Sequence, residues 1–332
     1  MSHKILELYS GIGGMHCAWN ESGLQGEISA AVDINTVANA VYTHNFPETN
    51  LLNRNIQKLT VQEIKKLKID TILMSPPCQP FTRNGKYLDD NDPRTNSFLY
   101  LIGILDQLEN IDYILMENVK GFETSTVRNL FIDKLKECNF IYQEFLLCPS
   151  TVGVPNSRLR YYCIARRKTL IWPFKRKDEI MTRLPKDFGI PNSLEPIIED
   201  DVDEKFLIPD KKLRRANVLD VCYKNSKRSC CFTKAYTHYI EGTGSVYTDK
   251  SPEMVQICYE KANLNEVGSE DFVESLKELK LRFFTPKEVL MLMSFPNNYC
   301  LPTNISMKQC YRLLGNSVNV KVISELLKIL FD

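Results

Sequence analysis

A cysteine held between prolines is the residue of this chain best suited to nucleophilic chemistry. Cys78 lies in the run Ser75-Pro76-Pro77-Cys78-Gln79-Pro80-Phe81, directly after the short apolar stretch 69–74. Such a stretch is typical of a buried parallel strand, and the prolines end it because neither can donate a ladder hydrogen bond. Cys78 is therefore expected in a loop at the carboxyl end of a strand, the edge where open α/β sheets bind ligands. The alternative is a simple turn, because a lone cysteine becomes a candidate nucleophile only with partners elsewhere.

An acid and two arginines are the partners that favour catalysis. Glu117 follows the apolar stretch 112–116, which one helical crossover joins to the strand before Cys78. Strands joined in this way often lie side by side, so Glu117 is predicted to lie beside Cys78. Arg158 and Arg160 are two residues apart before another apolar strand, hence on one face, where they suit a phosphate or a base carbonyl. A helix cap for Glu117 and surface ion pairs for the arginines are the structural alternatives.

A glycine-rich turn after the first strand indicates a cofactor that contains a nucleoside. Ser10-Gly11-Ile12-Gly13-Gly14 follows that strand, and Asp33 closes the second strand. Asp33 lies about 20 residues after Gly13, the spacing at which an acid accepts hydrogen bonds from a ribose diol. A dinucleotide fingerprint would place a further glycine at position 16, where this chain has His16, which disfavours NAD and FAD. S-adenosylmethionine, which has a ribose but no pyrophosphate, suits the pattern.

Other parts of the chain are expected to complete this cofactor site. Ile56 and Gln57 follow the third strand, where an adenine ring would need one apolar and one polar contact. Near the end, Gly315-Asn316-Ser317 is interpreted as a glycine loop that opens an amphipathic helix and belongs to the first domain. The predicted cofactor-binding residues are Tyr9, Ile12, Gly13, Gly14, Asp33, Ile56, Gln57, Ser75, Asn316 and Ser317.

The order of the apolar segments predicts an α/β fold with a smaller second domain. Strand and helix patterns alternate up to about residue 168, lapse over 169–283, and return at Thr285, where Pro286 and Glu288 specify a capped helix start. We therefore expect a catalytic, cofactor-binding domain over 1–168 and 284–332, and a small second domain over 169–283. The runs 231–236 and 241–245 have no role that their residue types predict.

The composition bounds the class of protein. The chain has 332 residues, of which 43% are hydrophobic and 25% charged, as in ordinary soluble globular proteins. It has neither the apolar core of a signal peptide nor the ~18 uninterrupted apolar residues of a membrane span. A monomer in the cytoplasm is expected, with the nucleus as a second location. Its 11 cysteines include no CxxC pair, so reduced thiols are expected and no metal site.

The small net charge indicates that any binding of nucleic acid depends on local basic patches. A formal net charge of +1 is too small for indiscriminate binding, because phosphate contacts need clustered lysine and arginine. Clusters at 166–168 and 211–215 are expected to track the backbone of a folded RNA, and solvated faces are the alternative. The candidate substrate contacts are Arg83, Lys86, Lys211, Lys212, Arg214 and Arg215.

Together these motifs resemble the cytosine-5 methyltransferase family. The resemblance runs in order through the Gly11 loop, Asp33, Pro77-Cys78, 117–119, the Arg158/Arg160 pair, 285–288 and 315–317. Two positions depart from the family pattern: Asn156 replaces the usual glutamine, and Asn55 replaces the usual acid after the third strand. The resemblance implies an S-adenosylmethionine-dependent methyltransferase fold, a Rossmann-like mixed sheet with a smaller target-recognition domain.

Within the family, the run 231–245, Asn156 and the short second domain are similar to the branch once named as a second DNA methyltransferase, which methylates a cytosine in the anticodon loop of aspartate tRNA. This resemblance implies that Cys78 adds to C6 of the base, Glu117 donates to N3, and Arg160 holds O2, with Arg158 nearer the cysteine loop or a phosphate. A tRNA substrate is expected, because exposing a loop base costs less than flipping one from a duplex. Cytosine-5 methylation of DNA is the alternative. Outside the family, the rival is a catalytically silent nucleoside-binding module.

Overall fold

A seven-stranded mixed sheet forms the centre of the computed structural model, which describes residues 2–77, 96–172 and 174–332. The strand order is β3-β2-β1-β4-β5-β7-β6. The strands are β1 His3–Leu8, β2 Gly26–Asp33, β3 Leu51–Asn53, β4 Thr71–Met74, β5 Tyr113–Val119, β6 Phe140–Leu147 and β7 Arg160–Arg167. The first five are parallel, and β7 is antiparallel to both of its neighbours. The predicted Rossmann-like mixed sheet is confirmed.

Helices cover both faces of this sheet. The helices of the described residues are α1 Gly14–Ser22, α2 Thr36–Asn45, α3 Val61–Lys66, α4 Asn96–Ile104, α5 Thr126–Glu137, α6 Asp210–Leu213, α7 Pro252–Ala262, α8 Glu270–Lys277, α9 Pro286–Leu292, α10 Met307–Asn316 and α11 Val320–Phe331, of which α6, α7 and α8 belong to the segment 169–283. Neighbouring residues of a strand point to opposite faces, so Ile5 joins an apolar cluster with α1 and α11, whereas Leu6 joins the cluster that contains α4 and α5. Two apolar cores therefore enclose the sheet.

The segment 169–283 carries its own small sheet. Its strands β8 Val221–Cys222, β9 Val246–Tyr247 and β10 Arg282–Phe283 pair in the order β10-β9-β8. Phe232, Tyr236 and Phe272 of this segment belong to the same apolar cluster as Tyr311 of α10. The predicted limits of a recognition domain at 168 and 283 stay a prediction. Across the described ranges, no helix has the length and apolar character of a membrane span.

A buried ion pair joins β10 to the start of α9. Thr285 Oγ1 accepts from the Glu288 amide at 3.1 Å, and the Glu288 carboxylate accepts from the Thr285 amide at 2.8 Å, which confirms the predicted capping box. The same carboxylate accepts from Arg282 Nη1 at 2.8 Å and Nη2 at 2.7 Å, and from the amide of Glu199 at 2.9 Å. Glu288 thus fixes a helix start, a strand and a distant segment at once.

Two local predictions differ from the structure. β5 continues through Glu117 to Val119, because its last residues pair with β7 up to the Val119–Arg160 register. The expected loop at Gly315-Asn316 is wrong: both residues belong to the last turn of α10, and Asn319 caps α11. Gly315 is needed for close packing, since a Cβ there would lie 2.1 Å from the Lys234 amide nitrogen.

The Arg282–Glu288 pair provides a test of this packing. We expect Arg282→Met to lower the free energy of unfolding by about 3–5 kcal/mol, because it leaves a buried carboxylate without its cation. Arg215→Met is the matched control, since its pair with Glu241 at 3.0 Å is exposed and should contribute little. Urea unfolding of both variants measures the difference, and equal midpoints would contradict the assignment.

Candidate active site

The carboxyl ends of β4 and β5 meet at one edge of the sheet. The two strands are parallel, and their paired residues run from Thr71 with Tyr113 to Met74 with Met116. Glu117 is therefore the first residue of β5 beyond its pairing with β4. Asn118 Nδ2 donates to the carbonyl of Pro76 at 3.4 Å and ties β5 to the start of the cysteine loop. Cys78, Arg83 and Lys86 lie outside the described residues. Glu117 therefore lies beside the strand that leads to Cys78, and its predicted position beside Cys78 itself stays a prediction.

Glu117 is a buried acid beside a guanidinium. Its side chain lies in the interior, and its Oε1 is 3.6 Å from Arg160 Nε. Burial raises the pKa of Glu117 above its ordinary value, and the charges of Arg160 and Arg158 oppose that rise without cancelling it. A carboxyl group with a raised pKa can hold a proton and donate it in a hydrogen bond.

The other arginine fastens two distant segments to the site. Arg158 is 3% exposed, and its Nη1 donates to the carbonyl of Phe232 at 3.2 Å. Its Nη2 donates to the carbonyls of Gly315 at 3.1 Å and Ser317 at 2.5 Å. Arg158 therefore directs its Nη donors at backbone carbonyls, whereas its buried Nε has no hydrogen-bond partner among the described residues. The expectation that Arg158 lies nearer the cysteine loop or a phosphate stays a prediction.

Both guanidinium groups also approach one thiol. Cys231 Sγ lies 3.5 Å from Arg158 Nη1 and 3.9 Å from Arg160 Nη2. Burial raises the pKa of Cys231, but the two guanidinium charges outweigh it and leave that pKa below its usual value. No role could be predicted for Cys231 from its residue type, because its contacts with Arg158 and Arg160 form only when distant segments pack together.

The predicted cofactor loop folds around Asp33. Gly11 and Gly13 have φ of +52° and +83°, the left-handed region that glycine adopts without strain. The Gly11 amide donates to Asp33 Oδ2 at 2.9 Å, and the Asn35 amide donates to Oδ1 at 2.8 Å. Each carboxylate oxygen has a second lone pair, so Asp33 can still accept from a ribose hydroxyl.

Unpartnered polar atoms beside this loop fit a bound nucleoside. Ser10 Oγ and Asn39 Oδ1 are buried, and neither has a hydrogen-bond partner among the described residues. Asn39 Nδ2 donates to the carbonyl of Asp33 at 3.1 Å, so this orphan oxygen lies close to the acid. Buried polar groups rarely lack partners, and a ligand or water at this position would supply them.

The remaining predicted cofactor residues lie around the same edge. Ile56 is buried and Gln57 is exposed, so the pair offers the expected apolar and polar contacts. Ser75 Oγ donates to the carbonyl of Tyr9 at 3.3 Å, and Ile12 is buried in the loop.

The end of the chain packs directly on the first loop. A Cβ at Gly14 would lie 2.7 Å from Val318 Cγ2 and 3.1 Å from Ser317 Oγ. The structure thus brings Ser317 to the glycine loop, as predicted. Asn316 is exposed beside it.

A buried acid under the loop is absent from the predicted set. Glu7 Oε2 accepts from Tyr42 Oη at 2.8 Å, and Oε1 accepts from the His16 amide at 3.3 Å. Glu7 therefore caps α1 in place of Gly13, which has no side chain. Burial raises the pKa of Glu7 to about 8 and lowers that of His16 to about 4. In the sequence, Glu7 stands between the apolar residues Leu6 and Leu8, and this pattern could have indicated a buried acid.

The basic cluster at 166–168 lies away from the site. β7 is antiparallel to β5, so Arg166 pairs with Tyr113 at the edge where the parallel strands begin. Arg167 donates to the carbonyls of Ile111 at 2.7 Å and Leu108 at 3.1 Å. The cluster thus lies at the opposite end of β7 from Arg160, and the prediction that it tracks the backbone of a folded RNA stays a prediction.

The cluster at 211–215 is only partly available. Lys212 Nζ donates to the carbonyl of Thr237, and Arg214 Nη1 donates to that of Gly268. Arg215 Nη2 lies 3.0 Å from the Glu241 carboxylate, and Lys211 is exposed. These intramolecular contacts correct the expectation of four cations that all face a substrate.

Comparisons with known proteins agree with this geometry. The sequence model of a family described as C-5 cytosine-specific DNA methylase matches residues 3–332. A Spodoptera frugiperda protein named tRNA (cytosine(38)-C(5))-methyltransferase is 84% identical, with all of both chains covered. A Dictyostelium discoideum protein named DNA (cytosine-5)-methyltransferase is 37% identical over 98% of this chain and 94% of its own. A crystal structure of a Spodoptera frugiperda DNMT2 mutant is 83% identical, covers both chains completely and superposes with a TM-score of 0.95.

The close approach at Gly315 predicts a measurable cost for a single methyl group. We expect Gly315→Ala to destabilise the protein by about 1–3 kcal/mol, because its Cβ would overlap the backbone of 233–234. Gly103→Ala is the matched control: it also lies in a helix but has nothing within 4 Å, so it should gain about 0.5–1 kcal/mol. Chemical unfolding measures both, and a neutral Gly315→Ala would contradict the packing.

Proposed function

Because this chain belongs to the C-5 cytosine-specific DNA methylase family, we propose that it methylates carbon 5 of a cytosine in tRNA, in the anticodon loop of aspartate tRNA. The observation that carries the chemistry is the buried Glu117 carboxyl beside Arg160 at the edge where β4 leads to Cys78. The tRNA substrate is supported by the name of the Spodoptera frugiperda relative, whose identity extends over the whole chain.

Activation of the base needs a nucleophile and an acid. C5 of cytosine is a poor nucleophile until the Cys78 thiolate adds to C6, which places an enamine-like electron pair at C5. Glu117 in its protonated form donates to N3 and neutralises the charge that develops on the ring. The raised pKa of Glu117 supports this role, because the donating form then persists to higher pH.

Two arginines serve this step differently. Arg160, within ion-pair distance of Glu117, holds the O2 carbonyl of the base. Arg158 is a positioning residue, because its donors hold the backbone at Phe232, Gly315 and Ser317.

The glycine loop and Asp33 would hold S-adenosylmethionine. The left-handed turn at Gly11 and Gly13 suits a close approach of the cofactor to the backbone, and Asp33 suits the ribose diol. Ile56 and Gln57 would contact the adenine. When bound, the cofactor supplies an electrophilic methyl group on a sulfonium centre. Residues of this chain orient the base toward that methyl group, and loss of the C5 proton then expels the Cys78 thiolate.

DNA is the second candidate substrate, because the Dictyostelium discoideum relative is named a DNA methyltransferase. A base in a loop is already unpaired, whereas a duplex base requires a few kcal/mol to be flipped out. This difference favours RNA for a chain with a small recognition segment. The monomeric state and the cytoplasmic location, with the nucleus as a second site, stay predictions.

Cys78→Ala is expected to abolish methyl transfer and leave S-adenosylmethionine affinity nearly unchanged. A nucleic acid that contains 5-fluorocytosine should trap the wild type covalently, because fluorine cannot leave as a proton does. Denaturing electrophoresis detects the adduct, and Cys300→Ala, which removes an exposed thiol, is the control. An adduct that persists in Cys78→Ala would exclude Cys78 as the nucleophile.

The substrate assignment predicts faster methylation of aspartate tRNA than of duplex DNA at matched concentration and salt. The measurement is transfer of labelled methyl from S-adenosylmethionine to each nucleic acid. An aspartate tRNA whose anticodon-loop cytosines are replaced by uridine is the control and should accept no label. Faster methylation of the duplex would reverse the assignment.

A further inference from the structure

Cys231 is held at a fixed position between two cations. Its Sγ lies 3.5 Å from Arg158 Nη1 and 3.9 Å from Arg160 Nη2. Asn156 fixes the backbone of this segment, because its Nδ2 donates to Ser229 Oγ and to the carbonyl of Cys230, both at 3.0 Å. Asn156, one of the two positions where the chain departs from the family pattern, thus holds the backbone that carries the thiol.

The same two cations also act on Glu117. The charges that act on this carboxyl are those of Arg160 and Arg158, and Tyr162 lies within electrostatic range of it. Two thiols contact the arginines: Cys231 Sγ approaches both guanidinium groups, and Cys148 Sγ accepts from the Arg158 amide at 3.3 Å. Two guanidinium groups facing a single buried carboxyl would favour its ionised form. A second anion between them reduces that effect.

We propose that Cys231 is a positioning residue whose thiolate shares the charge of Arg158 and Arg160 and so lets Glu117 keep the proton that it donates to the base. The inference rests on the proposed role of Glu117 in cytosine methylation. Cys231 does not touch the base in this account; it acts through the two arginines.

The neighbouring cysteine shows that this environment is specific. The Cys230 amide donates to Ser245 Oγ at 2.7 Å, on the side of the segment that faces Asp220. Burial raises the pKa of Cys230, with the Asp220 charge in the same direction, whereas the arginines lower that of Cys231. Two adjacent thiols therefore have opposite charge preferences, and Cys230 provides a matched control.

The first test is the pH dependence of single-turnover methyl transfer to aspartate tRNA. Activity requires protonated Glu117 and falls as pH rises through the pKa of that group. Without the thiolate, the arginines act on Glu117 alone, so in Cys231→Ser the alkaline fall should move down by about one pH unit. Cys231→Asp restores the anion and should move it back, and Cys230→Ser should match the wild type. A Cys231→Ser profile that superimposes on the wild type, or loses rate equally at every pH, overturns the proposal.

The second test needs no turnover. Carboxamidomethylation of Cys231 by iodoacetamide, followed by mass spectrometry over a pH series, reports the thiolate directly. We expect a midpoint below about 8.5, the value of a free thiol, and a higher midpoint for Cys230. A midpoint for Cys231 above that of Cys230 overturns the inference even if methyl transfer is normal. If the wild type methylated no cytosine, that result would refute the proposed function instead. The thiol measurement does not depend on methylation, so the two failures can be distinguished.

Discussion

The buried guanidinium of Arg158 is the constraint on which the site depends. It joins three parts of the chain that are far apart in sequence, because its donors end on carbonyls of Phe232, Gly315 and Ser317. Arginine suits this position, since its planar fork satisfies several acceptors in fixed directions and stays charged when buried. The contact holds the recognition segment against α10, and α10 in turn brings Ser317 to the glycine loop. A single side chain therefore connects the proposed base site and cofactor site.

The buried acids Glu7 and Glu117 have different roles because their surroundings differ. Burial raises the pKa of both Glu7 and Glu117. Glu7 accepts from Tyr42 and from the start of α1, so it stabilises the loop. Glu117 faces Arg160 at an edge that leads to the cysteine loop, so its proton is available to a ligand. The difference lies in what each carboxyl faces, since both are isolated from water.

The regular parts of the fold could be predicted from the sequence because they depend on local patterns. The apolar stretch 69–74 forms β4 at Thr71–Met74, and the capping box at Thr285 is formed by the residues that specified it. Gly315 was misinterpreted because a glycine required by close packing and a glycine required by a turn look alike in sequence. Cys231 had no predictable role, since its partners are Arg158 and Arg160, more than 70 residues away in the sequence, and its own position depends on Asn156. Contacts between distant segments determine such residues, and residue type alone does not reveal them.

Several arginines of this chain are held by internal contacts, so a cluster of basic residues in the sequence is not by itself an RNA-binding surface. Arg167 donates to backbone carbonyls, Arg282 pairs with Glu288, and Arg128 pairs with Glu144 at 2.7 Å. Each is a cation in the sequence, yet none is free to release counterions from a phosphate backbone. Internal contacts of this kind remove individual cations from the surface that a polyanion would meet. The proposed binding of tRNA would then depend on the shape of the folded RNA and on its exposed base more than on a uniform positive field, in keeping with a formal net charge of only +1.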